Sequence, residues 1–409
     1  MPYLEVFKSR KIAVMLFLGY SSGLPLSLTG STLQAWLSVT GVDIRTIGLF
    51  AFIGLPYTIK FLWSPLIDRF SPPLLGRRRG WIFITQFLLL CLVGGMSFLT
   101  PNETPVLLAA IAFAIAFVSA SQDIVIDAYR TDLLSERQRG AGTAVFVTGY
   151  RVAMLLSGAL AMIISSSIGW HYTYILMAAL MFVGMLGVLI GKEPEVELAA
   201  PRTLHDAVVG PLKDFFSRPY AVSLLILIVL YKLGDAYAGT LTTAFLIKGL
   251  NFTPVDVGTI NKGIGLLSLI VGAVVGGSLM VRLGLFMSLF YFGILQAISN
   301  LSFMVLAWVG KSYLVMVFAV CFENLTGGMG TAAFVSLIMA LCNARFSATQ
   351  FALLSSLASL GRVFVAPSSG YLVTLIDWDN FFLFTGITAI PGIILLWILR
   401  RHIPSSIPS

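Results

Sequence analysis

The feature that most constrains the fold is a series of long apolar segments that runs through almost the whole chain. A helix needs about 20 apolar residues to cross the hydrocarbon core of a membrane. Hydrophobic residues make up 58% of the 409 residues and charged residues 11%, against about a quarter charged in soluble domains. The sequence therefore predicts an all-α membrane protein with twelve transmembrane helices, at residues 12–37, 45–68, 80–100, 105–130, 140–166, 170–190, 219–247, 256–281, 285–308, 312–341, 347–375 and 380–400.

The basic residues predict which ends of these segments face the cytoplasm. If both termini are cytoplasmic, the outer side holds Arg45, Lys248 and Lys311, and the other basic residues outside the segments fall on the inner side. Cytoplasmic loops are enriched in Lys and Arg, so we expect both termini inside. This enrichment also explains the net charge of +8. Membrane lipid is therefore the expected partner, and nucleic acid is not.

A long polar stretch predicts where the chain divides. We expect an N-terminal six-helix bundle at residues 1–191, a cytoplasmic linker at 192–218 and a C-terminal six-helix bundle at 219–409. Apolar residues recur at helical spacing within 203–216. This segment is either an amphipathic helix at the inner membrane surface or a helix packed on the protein itself.

The two predicted bundles carry similar short stretches at equivalent positions. Residues 30–37 resemble residues 239–246, and residues 149–158 resemble residues 361–370. These matches predict two pseudo-symmetric six-helix bundles that arose by duplication. That is the architecture of the major facilitator fold.

Ionisable residues inside the apolar segments are the first candidates for function. A charge that faces lipid is costly, so we expect these residues to line an interior cavity and to pair with one another. They are Lys60, Asp123, Asp127, Arg151, Lys232, Asp235, Lys262, Glu323 and Arg362. The acidic members are the predicted proton-coupling residues, and the basic members are predicted substrate contacts. Their excess of one positive charge suits an anionic substrate.

Asp123 and Asp127 lie one helical turn apart, and Arg130 shares their helix face. Neighbouring carboxylates at the end of an apolar helix indicate a site that handles protons or contacts substrate. Asp123 is expected to be the better buried of the two. The alternative is structural, with the carboxylates paired to basic side chains as a cytoplasmic gate. Lys232 and Asp235 have the same kind of alternative, because residues three apart can pair with each other.

Uncharged polar side chains in the apolar segments extend the predicted substrate site. Hydroxyl and amide groups recognise sugars and peptides by hydrogen bonds. The predicted contacts of this kind are Tyr20, Gln34, Gln122 and Asn324. Glycines accompany them in the first and tenth segments, where an alternative role is close helix packing.

The loop after the second segment resembles a signature of the major facilitator superfamily. It contains an acidic residue, a glycine turn and clustered arginines, here Asp68, Arg69, Arg77, Arg78 and Arg79. We expect a gating role, with the loop binding neighbouring helix ends in one state and releasing them in another. The alternative is that the arginines fix the membrane topology.

The sequence offers no internal source of energy or catalysis. It has no nucleotide-binding loop of the GxxxxGK[ST] kind, and its three histidines are scattered. No nucleophile–base pair is evident. We therefore expect a secondary active transporter without a cofactor, with protons as the coupling ion, and not an enzyme.

Seven stretches together resemble the AmpG-type muropeptide permeases of Gram-negative bacteria, a branch of the major facilitator superfamily. They lie at residues 22–36, 60–70, 76–81, 119–132, 230–236, 322–331 and 346–356. The resemblance implies a monomeric inner-membrane permease that takes N-acetylglucosaminyl-1,6-anhydro-N-acetylmuramyl peptides into the cytoplasm by proton symport. It also implies roles in peptidoglycan recycling and in β-lactamase induction, and hence in antibiotic resistance.

Other functions remain open at this point. A drug exporter or an acyl-CoA carrier of the same superfamily is the main alternative, and an exporter should have a more apolar cavity with fewer interior cations. A membrane receptor or scaffold belongs to a different class, and it would not need so many charges inside the membrane.

Overall fold

A computed structural model describes residues 10–64, 67, 72, 75–134, 136–194, 213–342 and 347–403. Within these ranges the chain is helical and contains no strand, which confirms the predicted all-α membrane fold. Most of the predicted amphipathic segment at 203–216 lies outside the described residues.

Nine helices in the described ranges are long and apolar enough to cross a membrane. Two of them, Val145–Ile190 and Leu353–Arg401, are much longer than one crossing requires. Each is interrupted by a residue with positive φ, at Gly169 (φ 78°) and at Asp377 (φ 62°), so each comprises two helices in succession. Ile44–Ile59 is a shorter apolar helical segment. The number twelve stays a prediction.

The chain divides into two units. Unit 1 comprises Met1–Val42 and Ile53–Ala200, and unit 2 comprises Asp43–Phe52 and Pro201–Ser409. The segment Asp43–Phe52 belongs to unit 2 because its helix packs tightly there, with Gly48 against the backbone of Gly370. The division into six helices on each side of a linker stays a prediction.

The helices up to residue 190 are short between residues 31 and 59 and long elsewhere. They are α1 (Arg10–Thr29), α2 (Ser31–Val39), α3 (Ile44–Leu49), α4 (Leu55–Ile59), α5 (Arg77–Met96), α6 (Pro105–Leu133), α7 (Glu136–Met154) and α8 (Ala161–Ile190). All but α3 lie in unit 1. Helix α6 begins at a proline, whose missing N–H would have no partner in a first turn. Helix α1 ends where Gly30 leaves helical geometry (φ −104°, ψ −110°).

Helices α1 and α7 are in close contact in unit 1. A side chain at Gly19 would collide with the carbonyl oxygen of Phe146, and one at Gly149 would collide with that of Leu16. Small residues let helix backbones approach in this way. The close-packing interpretation of the glycine in the first segment is therefore confirmed at Gly19. An apolar core that includes Met15 covers the same end of the unit.

Unit 2 repeats this kind of packing. Its further helices are α9 (Ala221–Tyr231), α10 (Leu233–Ala244), α11 (Pro254–Asp256), α12 (Gly265–Val309), α13 (Tyr313–Ala340), α14 (Ser347–Leu360) and α15 (Ser369–Ile398). Helix α12 turns sharply at Gly284 (φ 74°), so its two arms form separate helices. Gly272 on α12 and Gly328 on α13 each face the backbone of the other helix too closely for a side chain.

Candidate functional sites in the two units

The second apolar segment is irregular in the part that carries Lys60. Helix α4 is followed by a 3₁₀ turn at Lys60–Leu62. The Lys60 charge interacts with that of Asp123 on α6. One turn further on, the indole of Trp63 donates to the hydroxyl of Ser121 at 3.0 Å. The turn therefore places a cation and an aromatic ring beside the polar end of α6.

Asp123 is tied to α1. The hydroxyl of Ser22 donates to its carboxylate at 2.5 Å. The neighbouring Ser21 accepts from two buried amides, from Gln86 at 3.0 Å through its hydroxyl and from Gln122 at 3.1 Å through its backbone carbonyl. The bonds to Asp123 and Gln122 fix the position of α1 along α6. The acid thus accepts a hydrogen bond at the edge of a buried network of hydroxyl and amide groups, and such a bond stabilises a carboxylate.

Asp127 faces a different environment from Asp123. Its side chain is 55% exposed and forms an ion pair with Arg130 at 3.2 Å. The Arg130 guanidinium also lies over the ring of Phe146, 4.6 Å from its centre. As expected, Asp123 is the better buried of the two acids. The proton-coupling role stays a prediction for both.

The remaining candidates in unit 1 are spread along four helices. Tyr20 and Gln122 are buried, and Gln34 and Arg151 are half-buried. Arg151 forms no ion pair with any residue that the structure describes, and it precedes a π-helical segment at Leu155–Leu160. Widened turns of this kind are frequent at functional sites.

In unit 2, a helix break lies at a candidate residue. Lys232 separates α9 from α10 and has non-helical geometry (φ −100°, ψ 0°). Its ammonium group lies 3.1 Å from the carboxylate of Asp235, which confirms the pairing alternative for these two residues. The side-chain amide of Gln296 donates to the same carboxylate oxygen at 2.6 Å. Broken helices are a common location for binding sites in transporters.

A second acid extends this cluster. Glu323 on α13 interacts electrostatically with Asp235, Lys262 and Lys232, and its carboxylate accepts from the amide of Asn324 at 2.8 Å. Lys262 lies in a π-helical segment, Val257–Ile264. Unit 2 therefore holds two acids and two bases in one electrostatic group.

Arg362 is exposed and lies in another π-helical segment, Gly361–Val365. Arg151 and Arg362 belong to the two similar stretches at 149–158 and 361–370, and each lies in or just before a widened turn. Their contact with a substrate stays a prediction.

The predicted gating residues divide into two groups. Asp68 and Arg69 lie outside the described residues. The backbone N–H groups of Arg78 and Arg79 donate to the carboxylate of Glu193 at 2.7 and 3.0 Å. This carboxylate occupies the N-terminus of α5, where the helix dipole favours a negative charge.

The guanidinium groups of the same arginines bind helix ends. Arg78 pairs with Asp132 at the end of α6 at 3.1 Å, with both side chains almost fully buried. Arg79 donates to the carbonyl oxygen of Val188 at 2.9 Å, near the end of α8. Arg77 is half-buried. The arginines thus bind helix ends as the latch interpretation requires, and their release in a second state stays a prediction.

Sequence reasoning missed several partners. Ser22, Gln296 and Glu193 were not among the predicted site residues, although each bonds to one of them or to its backbone. A glutamine in the middle of an apolar span is itself a signal, because a lone amide facing lipid is costly. Glu193 follows the last helix of the unit and offers no comparable signal.

Among the described residues, no group of histidine, cysteine, aspartate and glutamate could hold a metal ion. The candidate residues of both units interact through ion pairs and hydrogen bonds. Apolar membrane-spanning helices with broken turns and interior charges define a membrane transporter of the secondary active class.

Comparison with known proteins identifies the family. The model of the Major Facilitator Superfamily matches residues 13–366, and the chain belongs to this superfamily. The chain is 52% identical over 400 residues to the anhydromuropeptide permease of Escherichia coli K12, which covers 98% of this chain and 82% of the relative.

Solved structures of similar fold are also transporters. A D-xylose–proton symporter matches with a TM-score of 0.70 at 14% identity, over 98% of each chain. A POT family transporter, solved with a thioalcohol-conjugated peptide, matches with a TM-score of 0.75 at 15% identity, over 96% of each chain. At these identities the likeness establishes the fold.

Proposed function

We propose that the protein imports N-acetylglucosaminyl-1,6-anhydro-N-acetylmuramyl peptides from periplasm to cytoplasm, driven by the proton motive force. It would act as a monomer in the inner membrane of a Gram-negative bacterium, with both termini in the cytoplasm. The imported muropeptides would enter peptidoglycan recycling and feed the signal for β-lactamase induction. The mechanism would be alternating access, in which the site opens to one side of the membrane at a time.

The observation that carries this proposal is the 52% identity to the Escherichia coli anhydromuropeptide permease over 98% of the chain. Identity at this level covers every helix that bears a candidate residue. The membrane topology is supported by the bias of basic residues toward one side of the predicted segments.

The chemistry of the candidate residues suits such a substrate. Muropeptides carry carboxylates on the peptide and hydroxyl and amide groups on the sugars. Arg151 in unit 1 and Arg362 in unit 2 offer planar guanidinium groups, which bind carboxylates with two hydrogen bonds. Neither forms an ion pair with a described residue. Tyr20, Gln34 and Asn324 are the proposed sugar and peptide contacts.

Protons are the proposed coupling ion. Asp123 supports this role, because it is an interior acid that accepts a hydrogen bond from a neutral hydroxyl, that of Ser22, and lies near the charge of Lys60. A hydroxyl can donate to a carboxylate and accept from a protonated acid, so Asp123 can change its protonation without losing Ser22 as a partner. Asp235, by contrast, is already paired with Lys232. No cofactor is required.

The experiment is uptake of radiolabelled anhydromuropeptide into proteoliposomes that contain the purified protein. We expect accumulation when the lumen is alkaline relative to the outside, and none when an uncoupler removes the gradient. Unlabelled anhydromuropeptide should compete, and an acyl-CoA or a cationic drug should not. Competition by acyl-CoA alone would favour the alternative substrate class, and accumulation without a gradient would contradict proton coupling.

A further inference from the structure

A small basic cavity lies at one end of unit 1, where α1 begins and α6 and α8 end. It is on the predicted cytoplasmic side of the membrane. It is lined by Arg10, Lys11, Val14, Leu133, Gly191 and Lys192. Three of these six residues are cationic and none is acidic, whereas most of the surface that they expose to the cavity is apolar, so the cavity is suited to an anion that carries an apolar part.

Two of the cations are fixed by helix ends. The Arg10 guanidinium donates to the carbonyl oxygen of Ile190 at 2.8 Å, and the Lys11 ammonium donates to that of Leu133 at 3.2 Å. Arginine has five N–H donors and lysine has three. Each side chain therefore retains donors for a further acceptor.

The third cation is held through its backbone. The hydroxyl of Tyr129 donates to the carbonyl oxygen of Lys192 at 2.8 Å. The Lys192 ammonium forms no hydrogen bond or ion pair with any residue that the structure describes. The adjacent acid, Glu193, directs its carboxylate to the backbone N–H groups of α5 and forms no ion pair with Lys192. None of the three cations that line the cavity therefore forms an ion pair with a described acid, and the lining keeps a positive excess.

Exposed apolar side chains continue from this cavity toward the membrane interior. Leu16 on α1 is 40% exposed, and Leu186 and Leu189 on α8 are more than half exposed. The two helices touch at Phe17 and Gly187. At 1.5 Å per residue, Leu16 lies about 9 Å further along α1 than Arg10. The surface thus offers cations at headgroup depth and an apolar strip at acyl-chain depth.

We propose that the basic cavity binds the phosphate headgroup of an anionic phospholipid, whose acyl chains lie along the exposed leucines. Basic pockets between membrane helices on the cytoplasmic side recognise such headgroups. The apolar strip distinguishes a lipid from free phosphate, since phosphate alone would gain nothing from the leucines.

Binding of individual lipids to the purified full-length protein, measured by native mass spectrometry, tests the proposal. The probes are phosphatidylglycerol, phosphatidylcholine with the same acyl chains, and inorganic phosphate. We expect tighter binding of phosphatidylglycerol than of phosphatidylcholine, with no competition from phosphate at equal concentration. Equal affinity for the two lipids, or displacement of phosphatidylglycerol by phosphate, would overturn the proposal.

The decisive variant is Lys192→Gln, because it removes a charge and leaves both helix-end contacts in place. Each basic side chain near an anionic lipid contributes about fivefold in affinity, so phosphatidylglycerol should bind about fivefold more weakly. Lys192→Arg should restore binding. Arg282→Gln removes a charge in unit 2 from a side chain that is exposed like that of Lys192, and it should leave binding of phosphatidylglycerol unchanged. Wild-type affinity in Lys192→Gln, or an equal loss in Arg282→Gln, would refute a specific site.

Discussion

The Asp235 cluster permits a quantitative test of the structure. Lys232 and Gln296 donate to the same carboxylate oxygen of Asp235, at 3.1 and 2.6 Å. The side chains of the ion pair are 18% and 24% exposed. A hydrogen bond to a charged group contributes about 1.5–3 kcal/mol. We expect Lys232→Met and Asp235→Asn each to lower the free energy of unfolding by an amount in this range.

The double variant should lose less than the sum of the two single changes. Once Asp235 has lost its charge, the Lys232 ammonium group is an unpaired charge. Its removal then destabilises the protein less than it does in the wild type. The coupling between the two changes should be about 1–2 kcal/mol, as for other pairs in direct contact. Gln296→Leu is the matched variant that removes a neutral donor and leaves the ion pair intact.

The assay is unfolding of the full-length protein in mixed detergent micelles with increasing SDS, followed by helical circular dichroism. The four proteins of the cycle are compared under one condition. Additive losses, with a coupling below about 0.3 kcal/mol, would refute a direct interaction between Lys232 and Asp235. A structural pair also predicts that the double variant retains gradient-driven uptake.

Three further changes test other parts of the structure. Gly149→Ala should destabilise the protein by about 1–3 kcal/mol because a methyl group collides with the backbone of α1. Gly95→Ala has open space and should be neutral or stabilising in the same SDS-unfolding assay. Asp132→Asn removes the carboxylate of the buried pair with Arg78 and should cost about 3 kcal/mol, whereas Arg77→Gln should have little effect. Equal effects would argue against the buried pair. Arg362→Ala should weaken binding of the charged muropeptide more than binding of its neutral sugar portion, by about 1.5–3 kcal/mol in calorimetry, and equal losses would exclude a role in carboxylate binding.

The helical membrane fold was predictable because a span needs only length and apolarity. Local spacing also predicted the Lys232–Asp235 pair, since residues three apart share a helix face. It did not predict Gln296, which reaches Asp235 from a helix distant in sequence. A contact of this kind depends on tertiary packing, and periodicity within one segment carries no information about it.

Backbone irregularities were also beyond the sequence analysis. Lys262 and Arg362 were singled out for their charge, whereas the π-helical turns around them became visible in the structure. Wide turns have no strong residue preference, so composition does not reveal them. The grouping of Asp43–Phe52 with unit 2 was missed for a similar reason, because the close approach of Gly48 to Gly370 is a long-range contact.

The central claim is that Asp123 carries the coupled proton, and paired transport assays in proteoliposomes test it most directly. Asp123→Asn should abolish accumulation of anhydromuropeptide driven by a pH gradient yet retain exchange of labelled for unlabelled substrate, because exchange needs no net proton movement. Asp127→Asn, at the exposed acid paired with Arg130, is the control and should retain accumulation. Gradient-driven accumulation by Asp123→Asn at the wild-type level, with unchanged pH dependence, would contradict the claim.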